Sequence, residues 1–159
     1  LHEQIERHAI EGRLLAIEAE LFAKVRAAGS LRWVSGTIPG RARRYELGLA
    51  DHGLLVLQEQ TDGTWVAGHQ DKAKNKLVLI SGAELETAQG VAEDYCRRLG
   101  ATHLVDPAAK WRKARPTAKQ LQMCIKLKIP VPVGATKGDL SELLDAEFAR
   151  RRNTKRTRT

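Results

Sequence analysis

The chain has 159 residues, 42% hydrophobic but only 4% Phe, Trp or Tyr, with 27 Lys+Arg against 19 Asp+Glu and a formal net charge of +8. That length suits one medium domain or two very small ones, no apolar run approaches the ~20 residues of a membrane span, and from the polar start LHEQIERH no signal peptide is expected. Cys96 and Cys124 have no CxxC partner, so neither a disulfide framework nor a structural zinc site is indicated and a reducing, cytoplasmic setting is expected; a start at Leu1 rather than Met suggests a piece of something longer.

Residues 1–29 read as one long connecting helix. Ile10, Leu14, Ile17, Leu21 and Val25 recur at spacings of four and three and share a face, with Glu11, Arg13, Glu18, Glu20 and Lys24 mostly opposite, until Gly29-Ser30 ends the pattern. From Leu31 the period changes to two. Leu31–Ser35, Tyr45–Ala50, Leu54–Gln60, Thr64–Gln70 and Lys76–Ile80 are short runs rich in Leu, Val, Trp and Tyr, separated by turn-forming residues. Connections this short permit hairpins and exclude parallel crossovers, so an antiparallel five-stranded meander is expected. Ser81-Gly82-Ala83-Glu84 reads as a capping box opening a helix that buries Leu85, Ala88, Val91, Ala92, Tyr95 and Leu99 against the sheet. These elements make residues 30–106 a small α+β domain. Its Trp33 and Trp65 are read as core, Arg41, Arg43 and Arg44 as a basic hairpin turn, and Glu93-Asp94 as solvated.

Asp106-Pro107 breaks the chain, and residues 107–116 form a basic linker around Trp111. Thr117 to Gln120 is a second capping box, whose helix buries Leu121, Cys124 and Ile125 before Ile129-Pro130 stops it. After the turn Val131-Pro132-Val133-Gly134, Thr136 caps a helix that buries Leu140, Leu143, Leu144 and Phe148. Residues 117–152 thus form a helical pair with a small core, marginal unless it docks on the sheet domain, and residues 153–159 a disordered basic tail. The full expectation is an α+β fold: a long N-terminal helix, a five-stranded antiparallel meander packed on one helix, and a C-terminal basic helix-turn-helix pair.

Charge is distributed unevenly across these units. Residues 1–106 carry 13 Lys+Arg and 15 Asp+Glu, while residues 107–159 carry 14 and 4, so the whole basic excess lies in the last third. Such an asymmetry is the footprint of a polyanion-binding module, because cations that neutralise phosphates release condensed counterions. Catalytic motifs do not emerge. There is no GxxxxGK[ST] loop, the five histidines form no metal-binding pair, and no Ser or Cys sits in a recognisable nucleophile setting. No catalytic or metal-binding residue is therefore assigned.

Leu121 to Leu144, LQMCIKLKIPVPVGATKGDLSELL, resembles the SAP motif, a short helix–turn–helix DNA-binding unit with a glycine-containing turn, then Thr-Lys and a Leu-rich second helix. Physically, amides at Gly138 and Asp139 with the Lys137 ammonium offer an anion site at a helix start. The order of long helix, Trp-containing meander, the helix AQGVAEDYCRRLGA, the linker DPAAKWRKARPT and the final helical pair looks like the C-terminal accessory region of bacterial and phage DEAD/DEAH-box helicases of superfamily 2. That resemblance implies a DNA-binding accessory role, with ATP and Mg belonging only to motor domains elsewhere in the parent chain. The nucleic-acid-binding residues assigned are Lys110, Trp111, Arg112, Lys113, Arg115, Lys126, Lys128, Thr136, Lys137 and Gly138, Trp111 either stacking on a base or pinning the linker to the sheet. Partners are single- or double-stranded DNA and the motor domains, with no membrane. The alternatives are a protein-interaction module using the N-terminal helix, or a stand-alone RNA-binding protein.

Overall fold

Alternation of apolar and polar residues after Leu31 produces five strands, each hydrogen-bonded to the next in sequence: β1 (Val34–Ser35), β2 (Arg44–Gly48), β3 (Leu54–Glu59), β4 (Trp65–Gln70) and β5 (Lys76–Ala83). All four pairings are antiparallel, as short connections demand. The computed structural model describes residues 3–4, 6, 19–26, 31–38 and 40–158, with side chains to 155. At the β2–β3 turn Gly53 has φ 90°, and a Cβ there would lie 2.1 Å from the Gln70 carbonyl oxygen, so only glycine fits.

The register Tyr45↔Leu57↔Ala67 sets the inner face of the sheet, where Tyr45, Leu47, Leu55, Leu57, Trp65 and Ala67 are buried. Helix α2 (Leu85–Arg98) covers this face with Ala88, Ala92 and Cys96, whose small side chains at every fourth position let the helix approach closely. Leu85, Tyr95 and Leu99, expected in the same stripe, are half-buried at its flanks. Two corrections arise here. Strand β5 continues through Ser81-Gly82-Ala83, so no capping box forms, and Glu84 precedes the helix without a side-chain cap bond. Glu93 is 4% exposed rather than solvated: its carboxylate accepts from Trp33 Nε1 at 3.0 Å and Gln89 Nε2 at 3.3 Å, while Gln89 Nε2 also reaches the Val25 carbonyl at 2.7 Å. An acid on an apolar face is stable there because the buried indole N–H needs an acceptor.

Helical residues 19–26 (α1) place Leu21, Phe22 and Val25 in the same core, and Phe22 stacks on Tyr45, which stacks on Trp65. Most of the long helix expected over 1–29, with its Ile10, Leu14 and Ile17 stripe, lies outside the described residues. After α2 come α3 (Thr102–Val105), a 3-10 turn (Lys110–Lys113), α4 (Ala118–Lys126) and α5 (Lys137–Arg158). Cys124, Leu140 and Leu144 form a second, smaller buried centre between α4 and α5.

Helix α5 runs past residue 152 and lies across the outer face of the sheet at β1 and β2. Asn153 Nδ2 donates to the Gly36 carbonyl at 2.7 Å, and Arg152 reaches the fully buried Glu46 at 3.3 Å, so the stretch expected as a disordered tail begins as docked helix. Strand β2 is therefore buried on both faces, Arg44 and Glu46 included, while β5 at the opposite edge keeps Leu77 and Val78 exposed.

Candidate nucleic-acid interface

The basic stretch leaves the sheet domain at Asp106, whose carboxylate accepts the Ala108 amide at 2.8 Å and turns the chain. Trp111 and Arg112 then fasten the 3-10 turn to α3: Trp111 Nε1 donates to the His103 carbonyl at 3.0 Å and Arg112 Nη2 to the Leu104 carbonyl at 3.1 Å. The Arg112 guanidinium stands 4.7 Å above the Trp111 ring and is itself only 8% exposed. Burial pulls its pKa below the usual arginine value, opposed by the nearby Glu142. The phosphate contact expected of Arg112 is not open to it, since its side chain faces inward, and Trp111 pins the turn. Gly138 is the reason this works: a Cβ there would come within 2.6 Å of Arg112 Cβ, so Gly138 lets α5 pass beneath the arginine.

Two helix starts converge on this anchor. Thr117 Oγ1 accepts the Gln120 amide at 3.1 Å while Gln120 Oε1 accepts the Thr117 amide at 3.0 Å, the reciprocal box expected from the sequence. Gln120 Nε2 extends to the Lys137 carbonyl at 3.1 Å, and the Lys137 amide donates to the Ala114 carbonyl at 2.8 Å, tying both helices to the basic turn. At α5 the Asp139 carboxylate accepts the Thr136 amide at 2.9 Å and the Asp139 amide donates to Thr136 Oγ1 at 3.3 Å; these bonds hold the Asp139 carboxyl below its usual pKa. The helix start expected to hold an anion is thus capped by the chain's own carboxylate, with Thr136 as cap and Gly138 buried. Lys110, Lys113, Arg115 and Lys137 surround this junction, whereas Lys126 and Lys128 stand at the far end of α4, ~13 Å away at 1.5 Å per residue.

Chain charges pair off selectively. Every acidic residue of the last third is engaged within the protein: Asp139 in its cap, Glu142 with Arg26 and Arg32, Asp145 in the buried ground between Arg112 and Arg152, and Glu147 with Arg150 and Arg151. Among the described residues, Lys110, Lys113, Arg115, Lys119, Lys126, Lys128 and Lys137 make no ion pair, and all but the half-buried Lys137 are exposed. Lys119 was not among the residues the sequence singled out, although the absence of any Asp or Glu from Pro107 to Gly138 marks it equally. In the other basic cluster Arg43 is held by Glu59 at 2.8 Å and Arg44 is buried beside Glu46, while Arg41 is exposed and makes no ion pair among the described residues.

Other chemistry is sparse. Burial pushes the Cys96 thiol above its ordinary pKa, which keeps it un-ionised. No group of three or more His, Cys, Asp or Glu side chains among the described residues is placed to hold a metal ion, and no helix among them is long and apolar enough to cross a membrane.

Comparison with known proteins gives one match. A family model described as the C-terminal domain of the mitochondrial helicase Irc3 covers residues 7–159, while no curated protein and no solved structure matches. With the match running over almost the whole length, the chain belongs to the family of the C-terminal domain of the mitochondrial helicase Irc3.

Proposed function

We propose that this domain is a non-catalytic DNA-binding accessory region serving ATP-dependent helicase motor domains in the same parent chain. One observation carries the reading: from Pro107 to Gly138 there are eight cations and no carboxylate, and six of the eight are exposed and, with the half-buried Lys137, make no ion pair among the described residues. Lys110, Lys113, Arg115, Lys119, Lys126, Lys128 and Lys137 then serve as phosphate contacts, while Arg112, Trp111, Thr136 and Gly138 position the surface that carries them. The two groups of cations are separated along the chain by α4, whose axial rise of ~13 Å is about that of four stacked nucleotides. Two capped helices joined by a glycine turn also keep the SAP resemblance alive for this pair. ATP and Mg act in the motor domains in this reading. The family's description is of a mitochondrial helicase, which does not support the cytoplasmic setting expected from the cysteines.

The test is an anisotropy titration of the whole chain with labelled single-stranded DNA, duplex DNA and RNA of equal length across a salt series. Affinity for DNA should fall steeply with salt, with a slope of about 0.7 to 0.9 per phosphate neutralised. Replacing Lys113, Arg115 and Lys126 by Gln should flatten that slope by about 2 to 3. Absence of salt-dependent DNA binding, or a clear preference for RNA, rejects the proposal.

A further inference from the structure

The same acid-free stretch holds most of the large aliphatic side chains that the fold leaves in solvent. Apart from Leu77 and Val78 at the sheet edge, the exposed large hydrophobic residues described are Leu121, Ile125, Val131 and Val133, with Ile125 77% exposed and Val133 wholly so. Leu121 and Ile125 lie one turn apart on α4 and are neighbours on its outer surface, although the helix pattern alone assigns them to the core. Lys119 and Lys126 stand on the same helix about a third of a turn round from them, and Lys128 follows its last turn.

The backbone that carries these residues is closed by hydrogen bonds of its own. Helix α4 ends in a Schellman closure, in which the Ile129 amide donates to the Cys124 carbonyl at 2.9 Å and the Lys128 amide to the Ile125 carbonyl at 3.1 Å. Lys128 occupies the left-handed position with φ 57°, where glycine is the less strained residue, so a cation is fixed beside Ile125 at some conformational cost. Val133 stands at the corner of a turn closed by the Ala135 amide on the Pro132 carbonyl at 3.2 Å, with Gly134 at φ 76° and prolines at 130 and 132 restricting the backbone. Exposed aliphatic side chains and unpaired cations carried on one stretch without a carboxylate fit a partner that is both anionic and apolar. Duplex DNA meets the first requirement but hides its base faces, whereas a single strand offers phosphates and unstacked bases together.

We propose that Leu121 and Ile125, with Val131 and Val133, contact the bases of single-stranded DNA whose phosphates are held by Lys119, Lys126 and Lys128. This deepens the DNA-binding reading and rests on it. The strip confers a preference for single strands over blunt duplex, and that preference is separable from overall charge attraction.

The experiment uses the whole chain, a labelled oligothymidine and a blunt hairpin duplex of equal charge. The double variant Ile125→Ser/Val133→Ser alters side chains that are already solvent-exposed, so its thermal melt should match the parent chain. It should bind the single strand about tenfold more weakly with an unchanged salt slope, and bind the duplex within twofold of the parent. Lys126→Gln/Lys128→Gln should weaken both probes and lower the single-strand slope by about 1.4. If the aliphatic variant holds the single strand as tightly as the parent, the strip is a protein contact and the inference fails, while the phosphate role survives on the lysine result. Equal loss on both probes also overturns it. Failure of both probes to bind the parent chain rejects the DNA reading itself.

Discussion

The molecule has two hydrophobic centres of unequal means. The centre around the sheet, α1 and α2 holds fifteen buried residues, among them Trp33 and Trp65, while among the described residues the centre between α4 and α5 has Cys124, Leu140 and Leu144 buried, with half-buried side chains such as Leu143 and Phe148 packed against them. Three buried side chains do not hold two helices in place, so the smaller unit is fastened by polar ties: Arg112 and Trp111 to α3, Glu142 to Arg26 and Arg32, Arg152 to Glu46, and Asn153 to Gly36. Those ties have a consequence for the surface. Glu142 is taken up by these ties, Asp139 by its own cap and Glu147 by Arg150 and Arg151, and the lysines of the preceding stretch are left without an acid.

The sharpest way to break this contrast is to remove one large side chain from each centre. Trp65 stacks on Tyr45 with ring centroids 5.6 Å apart, and Trp65→Ala should cost about 3–5 kcal/mol, lowering the denaturant midpoint of the whole chain. Leu140 is fully buried, and Leu140→Ala should cost about 2–4 kcal/mol. Here the loss should be local: amide exchange should accelerate in α4 and α5 while β2 to β4 keep their protection. If Leu140→Ala lowers protection uniformly, the two centres unfold as one and the polar ties are stronger than assigned.

Legibility in the sequence followed the same division. All five strands and α2 were readable because period two and its turn residues are local signals, and the Thr117–Gln120 box was readable because its partners are three residues apart. Glu93 was misread because its partner, the Trp33 indole, is 60 residues away. Leu121 and Ile125 were misread for a different reason: helical spacing says which residues share a face, not whether another element covers it. The candidate site was visible as charge, but Arg112 and Gly138 look like surface residues until α5 is seen to cross beneath the basic turn. Nor does any local pattern announce that Arg44 and Glu46 are covered by a helix beginning about ninety residues later.

A smaller effect tests the ties through pH. Burial pushes the Asp145 carboxyl up to about 6, with Arg152 and Arg112 drawing it down and Glu142 and Glu46 pushing it further up. Its folded value lies above the ordinary 3.8, so the folded state holds a proton that the unfolded chain has released. Stability from this group is then fully present below pH ~4 and is lost as pH rises through ~6. Asp145→Asn stays neutral and should stabilise the chain by up to about 3 kcal/mol at pH 8, the gain shrinking toward zero as pH falls to 4. Thermal melts of both forms across that range read the difference, and a gain that does not change with pH would mean that Arg152 and Arg112 keep the carboxylate ionised throughout.

The weakest tie is the most local. Gly36 allows α5 to sit against β1, since a Cβ there would lie 2.7 Å from Glu46 Oε2 and 3.2 Å from Ala149 Cβ, and Asn153 uses that approach to bond the Gly36 carbonyl at 2.7 Å. Removing the amide in Asn153→Ala should cost about 1 kcal/mol, because water reaches the end of the helix and replaces part of the lost bond. Exchange should quicken for the amides of residues 150–155 while the midpoint of the sheet unfolding stays fixed. A fall in that midpoint would place the end of α5 among the supports of the larger centre, because the Asn153 bond would then be holding β1 in the sheet as well as the helix upon it.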